Sequence, residues 1–162
     1  RMKSIFYVGG VVRLYKAALN YLADLPEAAW LNPESISIPE TLQDEVVRLG
    51  TRGATENFFS GAPGPAEMIY DASRAGQSWE PVAVIREEGD RPLVEMRNTV
   101  LVGEKVELMV PDGSNPPMTI LAMYDEEANR VEKANPGNVL RLELDRNGDQ
   151  GRKIDILRRK VR

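Results

Sequence analysis

Two hydrophobic periods divide this chain. From Ser4 to about Asp24 the apolar positions Ile5, Val8, Val12, Tyr15, Leu19 and Leu22 recur at alternating spacings of three and four, which puts them on one face of a helix. Ser4 is suited to cap its start, and Pro26 lies just past its end, where a residue without an amide proton cannot continue the helix. Gly9 and Gly10 interrupt the pattern at about 1 kcal/mol each relative to alanine. That cost in mid-helix predicts a closely packed neighbouring backbone, with a missing N-terminal domain as the candidate. Residues 27–39 read as a connection in which Ala28, Ala29, Trp30 and Leu31 make one helical turn. In the second helix Thr41 precedes Asp44 by three residues, Leu42, Val46 and Leu49 share a face, and Gly50 is placed to end it. Residues 60–78 concentrate Gly, Pro, Ser and Ala and read as a loop or linker, with Met68, Ile69 and Tyr70 as its apolar anchors.

From Trp79 onward the period changes to two. The runs 82–86, 93–97, 106–110, 119–123, 139–144 and 153–157 are short and rich in branched residues. Turn-forming stretches such as Glu88-Gly89-Asp90, Asp112-Gly113 and 147–151 separate them. Six such strands with no helical pattern between them predict an antiparallel barrel or sandwich, and a barrel is preferred because closure hides the edges of a small sheet. The expected fold is therefore α+β, with N-terminal helices followed by a small antiparallel β-barrel of about six strands. The division is a helical lead-in at 1–59, a linker at 60–78 and the barrel at 79–162.

Composition narrows the chemistry. The 162 residues are 42% hydrophobic and 28% charged, which is ordinary globular material. There is no cysteine and no histidine, so thiolate nucleophiles, imidazole bases and the usual zinc and iron-sulfur ligands are missing together. No apolar run approaches the roughly 18 to 20 residues that span a bilayer, and a cytoplasmic location without membrane contact is expected. Arg1 precedes Met2, so the chain reads as a piece cut from something longer. The formal charge of −4 conceals a basic tail, with Arg152, Lys153, Arg158, Arg159, Lys160 and Arg162 set against Asp155. Such a tail suits either a solvated charged strand or a contact with nucleic acid.

The other candidate sites have plainer readings. Asp145, Asn147 and Asp149 alternate as calcium ligands do, but Gln150 and Ile156 stand where an EF-hand requires glycine and glutamate, so a turn is expected. Glu87, Glu88 and Asp90, and likewise Asp125, Glu126 and Glu127, fall at hairpin tips, where solvated carboxylates make weak acid-base catalysts. Ser60, Ser73, Ser78 and Ser114 lack a nucleophile-elbow setting and a lysine base, and no phosphate-cradling glycine motif exists. In the segment 50–59, Arg52 is flanked by glycines and precedes Phe58 and Phe59. It is placed either to hold a carboxylate or phosphate beside anchoring aromatics, or to ion-pair at an inter-domain seam.

Three segments together resemble the collagenase-related peptidases, family U32. Arg1-Met2-Lys3-Ser4, with Tyr7, Val8 and the stretch Tyr15-Lys16-Ala17-Ala18-Leu19, is similar to a motif and helix of that family. Thr51-Arg52-Gly53 through Phe58 is similar to its arginine-glycine, threonine-rich segment, with Glu56 and Asn57 in place of the usual threonine and glycine. Gly103-Glu104-Lys105-Val106-Glu107-Leu108 with Pro111-Asp112-Gly113 is similar to its C-terminal barrel. The resemblance implies a parent with an N-terminal TIM-like barrel that holds the family's cysteines and histidines. It also implies relatives tied to RNA hydroxylation and quinone biosynthesis, some with an iron-sulfur cluster. The expectation is a non-catalytic accessory domain with no cofactor or metal of its own, presenting a surface to a protein, peptide or RNA substrate. The alternative within the same family is an RNA-binding barrel module. Arg52, Thr55, Phe58, Phe59, Arg158, Arg159 and Lys160 are the candidate binding residues.

Overall fold

The computed structural model describes residues 4–49, 61, 62, 64, 78–111, 113–145 and 152–161. The chain divides into two compact units, 1–78 and 79–162.

In the first unit, α1 (Ile5–Ala23) begins at Ser4, whose Oγ accepts the Tyr7 amide at 3.3 Å and so satisfies one of the amides that the first turn leaves free. After two short 3-10 turns at Glu27–Leu31 and Pro33–Ser35, α2 (Glu40–Leu49) packs on α1. α2 starts one residue before Thr41, with the Pro39 carbonyl accepting the Leu42 and Gln43 amides at 2.9 and 3.2 Å. The close approach expected at the glycine pair occurs within the chain itself. A Cβ on Gly10 would lie 2.2 Å from Leu49 Cδ2, so α2 occupies the notch that was assigned to a missing domain, while Gly9 is exposed. The face of α1 that packs also differs from the expected one. Phe6, Gly10, Arg13 and Ala17 are buried, whereas Ile5, Val8, Val12, Tyr15 and Leu19 are 41–68% exposed. Two features select this face: the Gly10 notch, and an ion pair from Arg13 to Glu45, a buried residue of α2. Glu45 also receives Arg48 at 3.2 Å.

The second unit is a closed antiparallel barrel. Its strands are β1 (Trp79–Glu87), β2 (Leu93–Met96), β4 (Lys105–Met109), β5 (Pro117–Tyr124), β8 (Val139–Asp145) and β9 (Ile156–Lys160). They run in the ring order β4-β9-β1-β2-β8-β5, and a β4–β5 pairing closes it. Alternate residues of each strand point inward, and Ile85, Val94, Met96, Val106, Leu108, Ile120, Leu142 and Leu157 form the shared core, with Val82 and Ala83 beside the β1 bulge. Shorter strands complete the unit: β6 (Arg130–Val131) extends β5, while β3 (Val100–Leu101) pairs with β7 (Lys133–Ala134). These two-residue strands are too short to show a period in the sequence.

The last barrel strand lies about three residues later than the expected run. The Arg152 amide donates to Asp155 Oδ2 at 2.7 Å, and Ile154 adopts φ +81°, so residues 152–155 are held as a turn and extended pairing starts only at Ile156. Hydrogen bonds from the Ile154 amide to the Ile85 carbonyl and from the Ile85 amide to the Asp155 carbonyl, both 2.9 Å, lock that turn against β1.

Candidate nucleic-acid interface

The charged residues of β9 alternate across the sheet. Leu157 belongs to the interior core, so Arg159 shares the inner side of its strand, and Arg158 and Lys160 face outward. Arg158 pairs with Glu107 across the β4–β9 ladder. Its Nε and Nη2 both donate to Glu107 Oε2, at 3.3 and 3.0 Å, and its guanidinium lies 4.8 Å from the Trp79 ring centre. This arginine is 0% exposed. Such a group is tolerable only because a carboxylate and a π face replace its water.

Arg159 sits at the open end of the barrel between two acids. Nε donates to Glu80 Oε1 at 2.8 Å, and Nη1 donates to Glu104 Oε2. Burial works against its charge, but the Glu80 and Glu104 carboxylates together outweigh that and hold its pKa above the ordinary arginine value. Glu104 uses its other oxygen to accept the Leu101 amide at 3.1 Å. The tail is therefore neither a solvated charged strand nor a free basic arm, since two of its arginines are built into the barrel wall.

Above this cluster lies a groove of about 450 Å³, lined by the turn 101–104 with Lys105, Arg159 and Lys160. The turn is sharp because Gly103 adopts φ +86°, a conformation that costs glycine nothing. Lys105 and Lys160 are both exposed. A second groove, of about 390 Å³, lies between Arg91, Tyr124 and Arg141. There Arg91 stacks over Tyr124 at 4.6 Å and pairs with Glu143 at 2.9 Å, and Arg141 pairs with Glu87 at 3.0 Å.

Of the residues singled out from sequence, Arg158, Arg159 and Lys160 come together on β9. Arg52, Thr55, Phe58 and Phe59 lie outside the described residues, as does most of the loop 145–149 considered for calcium. Three of the hairpin-tip carboxylates serve structure: Glu88 Oε1 accepts the Lys153 amide at 3.0 Å, Asp125 Oδ1 accepts the Asn129 amide at 2.8 Å, and Glu87 pairs with Arg141. Among the described residues no group of three acidic side chains is arranged to hold a metal ion. Sequence reasoning missed Glu80, Glu104, Lys105 and Glu107. For all of these but Glu80 a signal existed in the alternation Glu104-Lys105-Val106-Glu107, with an acid on each side of the chain, which is what an arginine-rich neighbouring strand requires.

Residues 77–158 match the peptidase family U32 C-terminal domain. The chain belongs to this family. Over 151 residues it is 28% identical to the tRNA hydroxylation protein P1 of Bacillus subtilis, an alignment that covers 90% of this chain and 34% of that protein. The chain thus spans about a third of the length of this relative. Two solved structures of the C-terminal domain of a Geobacillus thermoleovorans protein assigned to the U32 peptidases also match. The selenomethionine variant is 20% identical, with a TM-score of 0.44, covering 49% of this chain and 99% of that one. The other is 21% identical, with a TM-score of 0.42, covering 51% and 93%. No helix among the described residues is long and apolar enough to cross a membrane.

Proposed function

We propose that this part of the U32 protein recognises a tRNA substrate and performs no chemistry itself, working beside a catalytic domain elsewhere in the same protein. The observation that carries the reading is the 28% identity, sustained over 90% of the chain, to a protein of tRNA hydroxylation. The chemistry of the residues supports it. The chain holds no cysteine or histidine, and the hairpin-tip acids Glu87, Glu88 and Asp125 are committed to holding turns and strands. The strand arginines are likewise committed to carboxylates. What remains is a surface for binding. A barrel with a net acidic body can attract a polyanion only through a local cluster of unneutralised cations, so the contact with RNA is confined rather than spread over the surface.

Filter binding of tRNA to the full chain over a range of salt tests this. Affinity that falls steeply with ionic strength, as counterion displacement requires, with no cleavage of gelatin, casein or a peptide library, is the expected result. Absent or salt-independent binding refutes it. A second reading, recognition of a protein or peptide, draws on the peptidase name of the family. Gelatin that binds the chain and displaces tRNA would favour that reading.

A further inference from the structure

Across the barrel, cations and carboxylates are matched. Arg86 on β1 meets Glu95, Arg141 on β8 meets Glu87, and Arg158 and Arg159 on β9 meet Glu107, Glu80 and Glu104. Lysines at the barrel mouth depart from this matching. The β4–β9 ladder ends at the Glu107–Arg158 pair, and beyond it Lys105 of β4 and Lys160 of β9 line one groove. By the alternation of side chains both leave the same face of the sheet. Both are exposed and both line the groove at the barrel mouth, and neither has an ion pair among the described residues. Like charges that share one face of neighbouring strands repel each other. Two exposed ammonium groups lining one groove, with no carboxylate partner among the described residues, form a site that an anion would relieve.

The surroundings extend the site. Leu101 at the groove edge pairs with Lys133 of β7. Antiparallel partners share a face, and Lys133 is exposed and also without an ion pair among the described residues. The acids that hold Arg159, Glu80 and Glu104, are directed at its guanidinium and, for Glu104, at the Leu101 amide, while Glu132 beside Lys133 pairs with Arg130. That cluster carries one net negative charge, and the three lysines outnumber it. The second groove lacks this property, because both of its arginines already hold carboxylates.

Resting on the tRNA reading above, we propose that the barrel-mouth groove binds the phosphodiester backbone of the RNA. Lys105 and Lys160 grip a phosphate between them, and Lys133 takes a neighbouring one. Point-charge lysines suit this task because they track a backbone without demanding a base.

The test is tRNA filter binding by the full chain, comparing wild type with the Lys105→Ala/Lys133→Ala/Lys160→Ala variant, its Lys→Arg counterpart, and Lys153→Ala, which changes an exposed lysine in the turn that precedes β9. The alanine variant is expected to bind at least about tenfold more weakly near 100 mM salt, with the slope of log affinity against log salt reduced by about two to three. The arginine variant and Lys153→Ala are expected to stay near wild type, with unchanged circular dichroism throughout. Wild-type binding that the alanine variant retains in full, with the same salt slope, overturns the groove and leaves the tRNA reading standing. No binding by wild type overturns the tRNA reading itself. Displacement of tRNA by inorganic pyrophosphate at matched ionic strength makes the groove a small-anion site and also overturns the proposal.

Discussion

Arg158 offers the sharpest test of how the barrel is held together. Replacing it with alanine removes two N–H donors from Glu107, a charge-assisted contact worth about 1.5–3 kcal/mol. It also removes a desolvated stacking contact with Trp79 worth about 0.5–2 kcal/mol. The abandoned Glu107 keeps 23% of its side chain exposed, so part of its charge is rehydrated. The total then falls toward the lower end of the roughly 3–5 kcal/mol typical for breaking a buried pair. At a urea dependence of about 1.5 kcal/mol/M, a loss near 3 kcal/mol moves the unfolding midpoint down by about 2 M. The chain has two tryptophans, so a Trp30→Phe background leaves Trp79 as a reporter of the barrel alone. Arg158→Lys keeps the charge and loses the planar fork, and is expected to fall between the two. A double-mutant cycle with Glu107→Ala should give a coupling of at least about 1 kcal/mol. A midpoint shift below about 0.5 M, or a coupling near zero, would show that this pair does not join β4 to β9.

Two further predictions follow from the same reasoning. Gly10→Val puts a branched side chain where Leu49 already sits and should destabilise the helical unit by about 1–3 kcal/mol through overpacking, read as a lower midpoint in far-ultraviolet circular dichroism; an unchanged midpoint would mean that α2 does not seat in the notch. The Arg86 hydrogen bond, helped by Arg97, holds the Glu95 carboxyl below its usual range against the opposing effect of burial, so this contact stabilises the fold above the ordinary carboxylate pKa and loses that contribution as pH falls through the depressed value; Glu95→Gln should therefore lose less stability than wild type between neutral and acid pH, and parallel profiles of melting temperature against pH would contradict it.

The barrel was legible because short branched-rich runs are separated by turn-forming residues and several of them alternate inward and outward residues. Val139 to Leu144 displays that period without help from tertiary structure, while Val82 to Ile85 reads as a continuous apolar run that is buried throughout. The last strand was legible as the run 153–157, about three residues before the strand Ile156–Lys160, because its own charges obscure the period. Its inward positions carry Leu157 and Arg159 and its outward ones Arg158 and Lys160, so no apolar alternation marks it, and the partners that make those charges tolerable lie about 50 to 80 residues away at Glu107, Glu104 and Glu80. The packed face of α1 was hidden for a related reason. Arg13 and Gly10 look like interruptions of an apolar stripe, yet Glu45 and Leu49 turn them into the contact surface. The groove could not be read at all, because Lys105, Lys133 and Lys160 become neighbours only when β9 enters between β1 and β4 and β7 pairs with β3.

The central claim is that RNA meets the barrel of this U32 chain at its mouth. Ultraviolet cross-linking of tRNA to the full chain, followed by mass spectrometry of the linked peptides, addresses it most directly. The account predicts adducts concentrated in the peptides that contain Lys105, Lys133 and Lys160. Adducts confined to residues 4–49 would contradict it.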